Sequence, residues 1–467
     1  MSPSLAVLPY SNLSEGGEFS YFARGLTETI TDSLSRVSGL KLIALASASN
    51  TGESDQDAQA MGDKLGVAQV VTGSVEKIGE QVRVHTRLVR VADGKSLWSA
   101  VHERQVDNVF AIHDEISQFI VSRLSELMAE QYQLPGSPSA GTVTQQDSSA
   151  YLLVLQANAL RQGGSGQQLT EAQQLYRQAL QLKPDYPQAL IGLAAVIRAR
   201  TTLGDIPREA GFPEALSLAH RAVLLAPDLA DAFVQIGEIQ YRHFWDFKQA
   251  DASFQQALAA APGSATAHAA YGRFLSKVGR HRAAIQQART ALELDPLSPG
   301  ALASLIIRLI RVNELDQARQ LLEQMKQRYP GDANIPWLET NWHIRHQSYN
   351  EALQWIALEE LAYLRQSLSA MALHFLDRKG QAQKTLNELI ATDAEGAAFQ
   401  IAEVYAQWQQ LDLAFVWLDK AFSQGDPGLS ELYSSVNLHN LYEDERFFAL
   451  AARLGLPVLS AQALRQP

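Results

Sequence analysis

No cysteine occurs in the 467 residues, which removes disulfides, thiol catalysis and thiolate metal sites together. No uninterrupted apolar run reaches the length a membrane helix needs, so no span is expected. The start of the chain has no charged flank followed by a long apolar core. It therefore reads without a secretion signal, and the expected compartment is cytoplasmic, or periplasmic if a membrane segment lies upstream of Met1. Positive charge is in deficit: 39 Lys and Arg against 50 Asp and Glu give −11, which argues against direct nucleic-acid binding unless a local basic face overrides the average. What is present, 46% hydrophobic and 19% charged residues, suits a globular chain long enough for two or three domains.

The strongest positive signal is a period. Pro262, Pro296 and Pro330 stand 34 residues apart, each preceded at twelve residues by an alanine, Ala250, Ala284 and Ala318. The alanine ladder extends to Ala172, Ala215, Ala352, Ala382 and Ala414, so eight units fit, with one long step of 43 between Ala172 and Ala215. A second small residue follows at seven positions, as at Ala179, Ala222, Ala257, Ala291 and Ala421, with a bulky one between, such as Tyr176, Phe254, Leu322 or Leu418. Spacings of four and three mark one helix face, and small side chains there let a second helix approach closely. The proline ends the helix because it cannot supply the next N–H. A repeat of this length is one helix hairpin, and stacked copies make a solenoid. The extra residues of the long step are expected in 200–213 as an enlarged loop.

At these residues the chain resembles the tetratricopeptide repeat family. The best copy carries Tyr271-Gly272 in its first helix and Ala284, Ala291 and Pro296 in and after its second. The resemblance implies hairpins over 149–425, with the first helix of each lining a concave surface that binds a protein or peptide.

Residues 1–130 lack the period and alternate between strand and helix spacing. Apolar runs at 5–10, 40–46 and 68–75 read as strands, with a helix between the first two on the face Phe22, Leu26, Ile30 and Leu34, Thr27 and Glu28 pointing away. A second helix is expected at 55–65. Two strand–helix crossovers imply parallel pairing, and turns at Ile78-Gly79-Glu80 and Asp93-Gly94 then imply an antiparallel meander to residue 104. A last helix is expected at 106–128. The motifs Ala6-Val7-Leu8-Pro9-Tyr10, Gly25-Leu26-Thr27-Glu28, Gly73-Ser74-Val75, Leu97-Trp98 and Asp114-Glu115-Ile116 make this block similar to the TolB-like amino-terminal domain, as found with tetratricopeptide repeats in bacterial adenylate cyclase-associated and CadC-like regulatory proteins. The fold class is thus mainly α, an α-solenoid preceded by a smaller α/β domain. The polar stretch 131–148 reads as a linker, and 426–467, with Asp426-Pro427-Gly428 and Asp444-Glu445-Arg446-Phe447, as a closing cap and tail.

Motifs for chemistry are scarce. Gly94-Lys95-Ser96 lacks the upstream glycine of a phosphate loop and sits in a hairpin. His343 and His346 have no third ligand nearby, so no metal is expected, and no cofactor either. His113-Asp114-Glu115 opens a helix whose dipole favours acids. Arg83, His85 and Arg87 share one sheet face, a secondary basic site for a phosphate or acidic peptide or, more simply, a solvated face paired with Glu76 and Glu103. The better candidate is a basic stripe near the ends of the first helices, Arg242, Lys277, Arg311 and His346, with Tyr241 and Trp342 as large amphipathic anchors. The neighbouring positions Glu238, Arg273 and Ile307 do not reproduce the family's Lys/Asn carboxylate clamp. The expected function is a non-enzymatic regulatory scaffold holding a protein or peptide partner in that groove, with self-association open. Two alternatives stand beside it: the sensory half of a nucleotide cyclase or winged-helix transcriptional regulator, and a small-molecule sensor working through the α/β domain.

Overall fold

The computed structural model describes residues 4–14, 20–35, 41–44, 58–105, 116, 119 and 145–465. Strands β1 (Ser4–Val7), β2 (Ser11–Asn12), β3 (Lys41–Ala44), β4 (Gln69–Ile78), β5 (Gln81–Arg90) and β6 (Ser96–Gln105) form one sheet in the order β3-β1-β4-β5-β6, with β2 on β4. The pairings β1–β3 and β1–β4 are parallel, and β4–β5–β6 is an antiparallel meander turning at Gly79 and Gly94. Both glycines have positive φ, 61° and 66°, which the tight turns require and a Cβ would oppose.

Helix α1 (Ser20–Ser35) lays Phe22, Leu26, Ile30 and Leu34 on one face of this sheet, each at most 1% exposed. Thr27, expected on the outer side, is buried at 4%: its hydroxyl accepts from the Tyr10 backbone N–H at 3.0 Å and donates to the Ala23 carbonyl at 2.9 Å. Threonine can sit inside because its one hydroxyl is fully used. Tyr10 crosses the same core to donate to Thr86 Oγ1 at 2.9 Å, and burial raises its pKa. Helix α2 (Ala58–Leu65) covers the opposite face with Leu65 against Ala6, Ile43 and Val70. Of the helix expected at 106–128, Ile116 is buried in the core and Phe119 meets Trp98 edge-on at 5.1 Å; its remainder, with His113, lies outside the described residues.

Eight helix pairs follow, α3 (Gln145–Gly163) with α4 (Gly166–Leu182), α5 (Pro187–Thr202) with α6 (Arg208–Leu225), α7 (Ala230–His243) with α8 (Phe247–Ala260), α9 (Ala265–Lys277) with α10 (His281–Leu294), α11 (Pro299–Arg311) with α12 (Leu315–Arg328), α13 (Ile335–Arg345) with α14 (Tyr349–Ile356), α15 (Ala362–Phe375) with α16 (Lys379–Asp393), and α17 (Ala398–Gln407) with α18 (Leu411–Gln424). All eight ladder alanines lie in second helices and are 0% exposed. The close approach they permit is visible at Gly192, where a Cβ would stand 2.2 Å from the Tyr176 ring, and at Gly237, 2.9 Å from Phe254.

Each pair turns on one left-handed residue: Gly164, Gly204, Trp245, Gly279, Asn313, Gln347, Asp377 and Gln409, with φ from 54° to 87°. The residue after it donates back across the helix end, as in Arg280 to Leu275 at 2.9 Å, Glu314 to Leu309 at 2.9 Å and Gln410 to Tyr405 at 2.9 Å. That bond ties off an otherwise orphaned carbonyl, which is why so short a turn recurs unchanged.

Two readings are corrected here. The surplus of the second unit does not make an enlarged loop: α5 and α6 run to 16 and 18 residues against 13 and 14 in α11 and α12, and Pro213 sits inside α6. A helix can take up surplus residues while keeping its hydrogen bonds, which an open loop cannot. The stretch read as linker also ends early, since α3 begins at Gln145 and packs Tyr151 and Leu155 into the α/β core, with Phe22 edge-on to Tyr151 at 6.5 Å. The apolar face of α3 overrides the polar composition just before it. Residues 131–144 lie outside the described part. By its internal contacts the chain forms two compact units, one of 1–239, 252–267 and 291–298, the other of 240–251, 268–290 and 299–467. Among the described residues no helix is long and apolar enough to cross a membrane.

Candidate functional site

In the second unit the first helices of successive pairs end in cations. Lys277 closes α9 and Arg311 closes α11, one repeat apart, and both reach a single carboxylate, that of Glu431. Arg311 Nη2 lies 3.1 Å from Glu431 Oε2 and Nη1 donates to Ser276 Oγ at 3.3 Å; Lys277 Nζ pairs with Oε1. Glu431 ends the 3-10 helix Pro427–Glu431, so the chain's own C-terminal segment occupies the line of helix ends that the sequence marks as a groove. The Lys277 side chain is left 7% exposed and that of Arg311 18%.

The segment is held along its length. Asp426, 5% exposed, accepts from Gly428 N at 2.7 Å and from Phe399 N at 3.0 Å, capping its own turn and the start of α17 with one carboxylate. Ser435 Oγ and Asn437 Nδ2 donate to Glu403 on α17, the latter at 3.3 Å, and Gln407 Nε2 donates to the Asn437 carbonyl at 2.7 Å. Tyr433 OH donates to the Pro457 carbonyl at 3.0 Å. The tail then closes on the α9–α10 turn, where a Cβ on Gly279 would meet Leu464 at 2.6 Å and Leu459 at 2.7 Å.

Burial governs the electrostatics. It lowers the Arg311 pKa to about 10, against the pull of Glu403, and lowers that of Arg308 to about 9, helped by the charges of Arg311 and Arg273. It raises the Glu403 carboxyl to about 7, over the opposing hydrogen bonds of Ser435 and Asn437 and the charge of Arg311. His281 falls to about 4, from burial first and then the Arg311 charge.

The sequence candidates therefore separate. Lys277 and Arg311 meet. Tyr241 is 0% exposed and packs against Phe274 at 5.6 Å, so it is core rather than a contact anchor; Arg242 stacks over its ring at 5.1 Å. Trp342 turns toward the preceding hairpin, donating to the Leu315 carbonyl at 3.0 Å and stacking on His346 at 4.4 Å, with the Arg319 guanidinium over its ring at 4.9 Å. His346 is exposed and His343 bonds Ser348 at 2.8 Å, with Glu339 at 3.5 Å. The residue that joins Arg311 at the groove is Arg345. A strict step of 34 from Lys277 through Arg311 lands on Arg345, and backward on His243, whereas the stripe was read through His346 and Arg242, one residue to either side. On the sheet, Arg83 pairs with Glu103 at 2.6 Å and Glu76 at 3.7 Å, while His85 and Arg87 are exposed. Among the described residues no group of three or more His, Cys, Asp or Glu is placed to hold a metal.

Residues 275–335 match the tetratricopeptide repeat family. Over 196 residues, 42% of this chain, the sequence is 33% identical to a Rhizobium meliloti protein named putative adenylate cyclase 3, and the match spans 32% of that protein's length. Among solved structures, a tetratricopeptide repeat protein from Parabacteroides merdae aligns at a TM-score of 0.40 and 14% identity, covering 57% of this chain and 98% of that one. A thermophilic TPR protein from Thermus thermophilus aligns at 0.36 and 20% identity, covering 42% and 98%. The fold is mostly helical, with tetratricopeptide hairpins after a small α/β region.

Proposed function

We propose that this chain is a non-enzymatic regulatory scaffold that holds a protein or peptide partner on the concave face of its hairpins, the partner presenting an acidic segment where Glu431 now sits. The observation that carries this reading is the convergence of Lys277 and Arg311, one repeat apart, on one carboxylate of a short 3-10 segment. Burying two cations is costly unless a carboxylate is brought to them, so the groove selects acidic side chains on extended or turn-like chain. Affinity then comes from a long surface rather than a deep pocket. A labelled peptide of residues 426–442 tests it. The peptide is expected to bind the full chain carrying Glu431→Ala, whose own segment is loosened, at least tenfold more tightly than the unaltered chain. Adding Lys277→Glu and Arg311→Glu should abolish that binding, and no binding to the Glu431→Ala chain would overturn the reading.

A second reading is favoured by the likeness to putative adenylate cyclase 3, together with the TolB-like resemblance: the chain acts as the regulatory half of a nucleotide cyclase. Under it, adding the purified chain in excess to the part of that relative outside the match changes the rate of cyclic AMP formation several-fold. A rate that does not move over a hundredfold range of the chain counts against it.

A further inference from the structure

Seating the C-terminal segment leaves a cavity of about 270 Å3 beside Arg311. Its wall brings together His281 from the start of α10, Arg311 and Asn313 from the α11–α12 turn, Arg345 from the end of α13, and His439 from the 3-10 helix Val436–Leu441. Two guanidinium groups and two imidazoles line it, and no carboxylate does. The Nε of Arg345 is buried without a hydrogen-bond partner, and no ion pair to Arg345 occurs among the described residues.

The surroundings do not supply the missing charge. Glu431 is already shared by Lys277 and Arg311. Arg308, 3% exposed, has neutral partners, donating to the carbonyl and hydroxyl of Ser304 and to the Gly272 carbonyl at 3.3 Å. Glu403 lies across Arg311 but burial favours its protonated form. In a chain of net charge −11, the lining of this cavity carries positive charge only. Surplus charge away from water is unfavourable until a counter-charge arrives, and an arginine fork with an unused Nε is the donor geometry that oxyanions fit.

We infer that this cavity is a binding site for a small oxyanion of two negative charges, a phosphate monoester or a short dicarboxylate, held between Arg345 and Arg311 with an imidazole N–H as a further donor. At about 270 Å3 the cavity has room for such an anion with some of its hydration water. His281 is neutral here and its one N–H is engaged by the Tyr433 backbone, which leaves the imidazole donor to His439. His439 belongs to the segment a partner would displace, but the titration is made on the chain alone with that segment seated, so the two proposals fail separately.

Isothermal titration of the full chain with inorganic phosphate and with malonate, at constant ionic strength, tests it. Saturable one-site binding of at least one of them is expected, weakened about tenfold or more by Arg345→Gln and less by Arg345→Lys, which keeps the charge but loses the fork. Circular dichroism should show both variants folded, and Lys384→Gln, exposed on α16, should bind as the unaltered chain does. Preference for phosphate identifies a phosphoryl ligand, and preference for malonate a dicarboxylate. Absence of saturation with both, or affinities that Arg345→Gln leaves unchanged, would overturn the site.

Discussion

Glu431→Ala is expected to lower the stability of the second unit by about 3 kcal/mol and to release the C-terminal segment. The residue is the shared counter-ion of Lys277 and Arg311, whose side chains are 7% and 18% exposed, so its removal strands two cations that water reaches poorly. Glu431 itself is 33% exposed, which places the loss toward the lower end of what breaking a buried pair costs. A chain of two compact units need not unfold in one step, so the measurement is amide hydrogen exchange rather than a single melting temperature. Protection should fall across 427–465 and at the ends of α9 and α11, while β4 and β5 keep theirs. Lys277→Met and Arg311→Met with Glu431→Leu should recover much of the loss, because apolar side chains of similar size then fill the place of the whole triad without needing a counter-charge. An exchange pattern in Glu431→Ala that matches the unaltered chain would mean the segment is held by Asp426, Asn437 and Tyr433 alone.

The reason this contact was not legible beforehand is its range. The ladder alanines were readable because helix packing is a local requirement: a small residue every four and three positions has one physical meaning, and all eight are 0% exposed. The meander was readable at Gly79-Glu80 for the same reason, since a two-residue turn is chosen by the residues inside it, whereas the turn read at Asp93-Gly94 is longer, β5 ending at Arg90 and β6 starting at Ser96. The left-handed turn positions were half visible: Gly279 and Asn313 announce themselves, whereas Trp245, Gln347 and Gln409 do not favour that conformation and are held there by the hairpin around them. Arg311 and Glu431, by contrast, are 120 residues apart, and no periodic pattern links them. Two members of the basic stripe, Lys277 and Arg311, were therefore readable from the period, while the Glu431 carboxylate they share was not. Tyr241 misled for a related reason, because an aromatic on the inner helix can face either the groove or the next repeat, and only Phe274 at 5.6 Å decides which.

Glu403→Gln is expected to become progressively more stable relative to the unaltered chain as pH rises. Burial raises the Glu403 carboxyl from 4.5 to about 7, with Arg311, Ser435 and Asn437 opposing and Asp426 adding to the rise. The folded state thus holds this proton more tightly than the unfolded chain, so its contribution is full below about pH 4.5 and is lost as pH rises to about 7. His281 runs the other way: lowered from 6.5 to about 4, it contributes fully above 6.5 and loses that contribution as pH falls toward 4. Between 4.5 and 6.5 the two slopes nearly cancel in the unaltered chain. Glutamine keeps an acceptor for Ser435 and Asn437 but takes up no proton, so the variant loses the opposing slope and keeps that of His281, with those of His343 and His374, which burial also lowers. The stability difference, variant minus unaltered chain, should grow steadily from pH 4.5 to 7 and reach up to about 3 kcal/mol, the upper limit for a half-buried carboxyl with this shift. Every other carboxylate titrates alike in both proteins and drops out of the difference. Urea unfolding of the pair at half-unit pH steps measures it, and a constant offset across the range would show that Glu403 is ionised throughout and that Arg311, not burial, sets its charge.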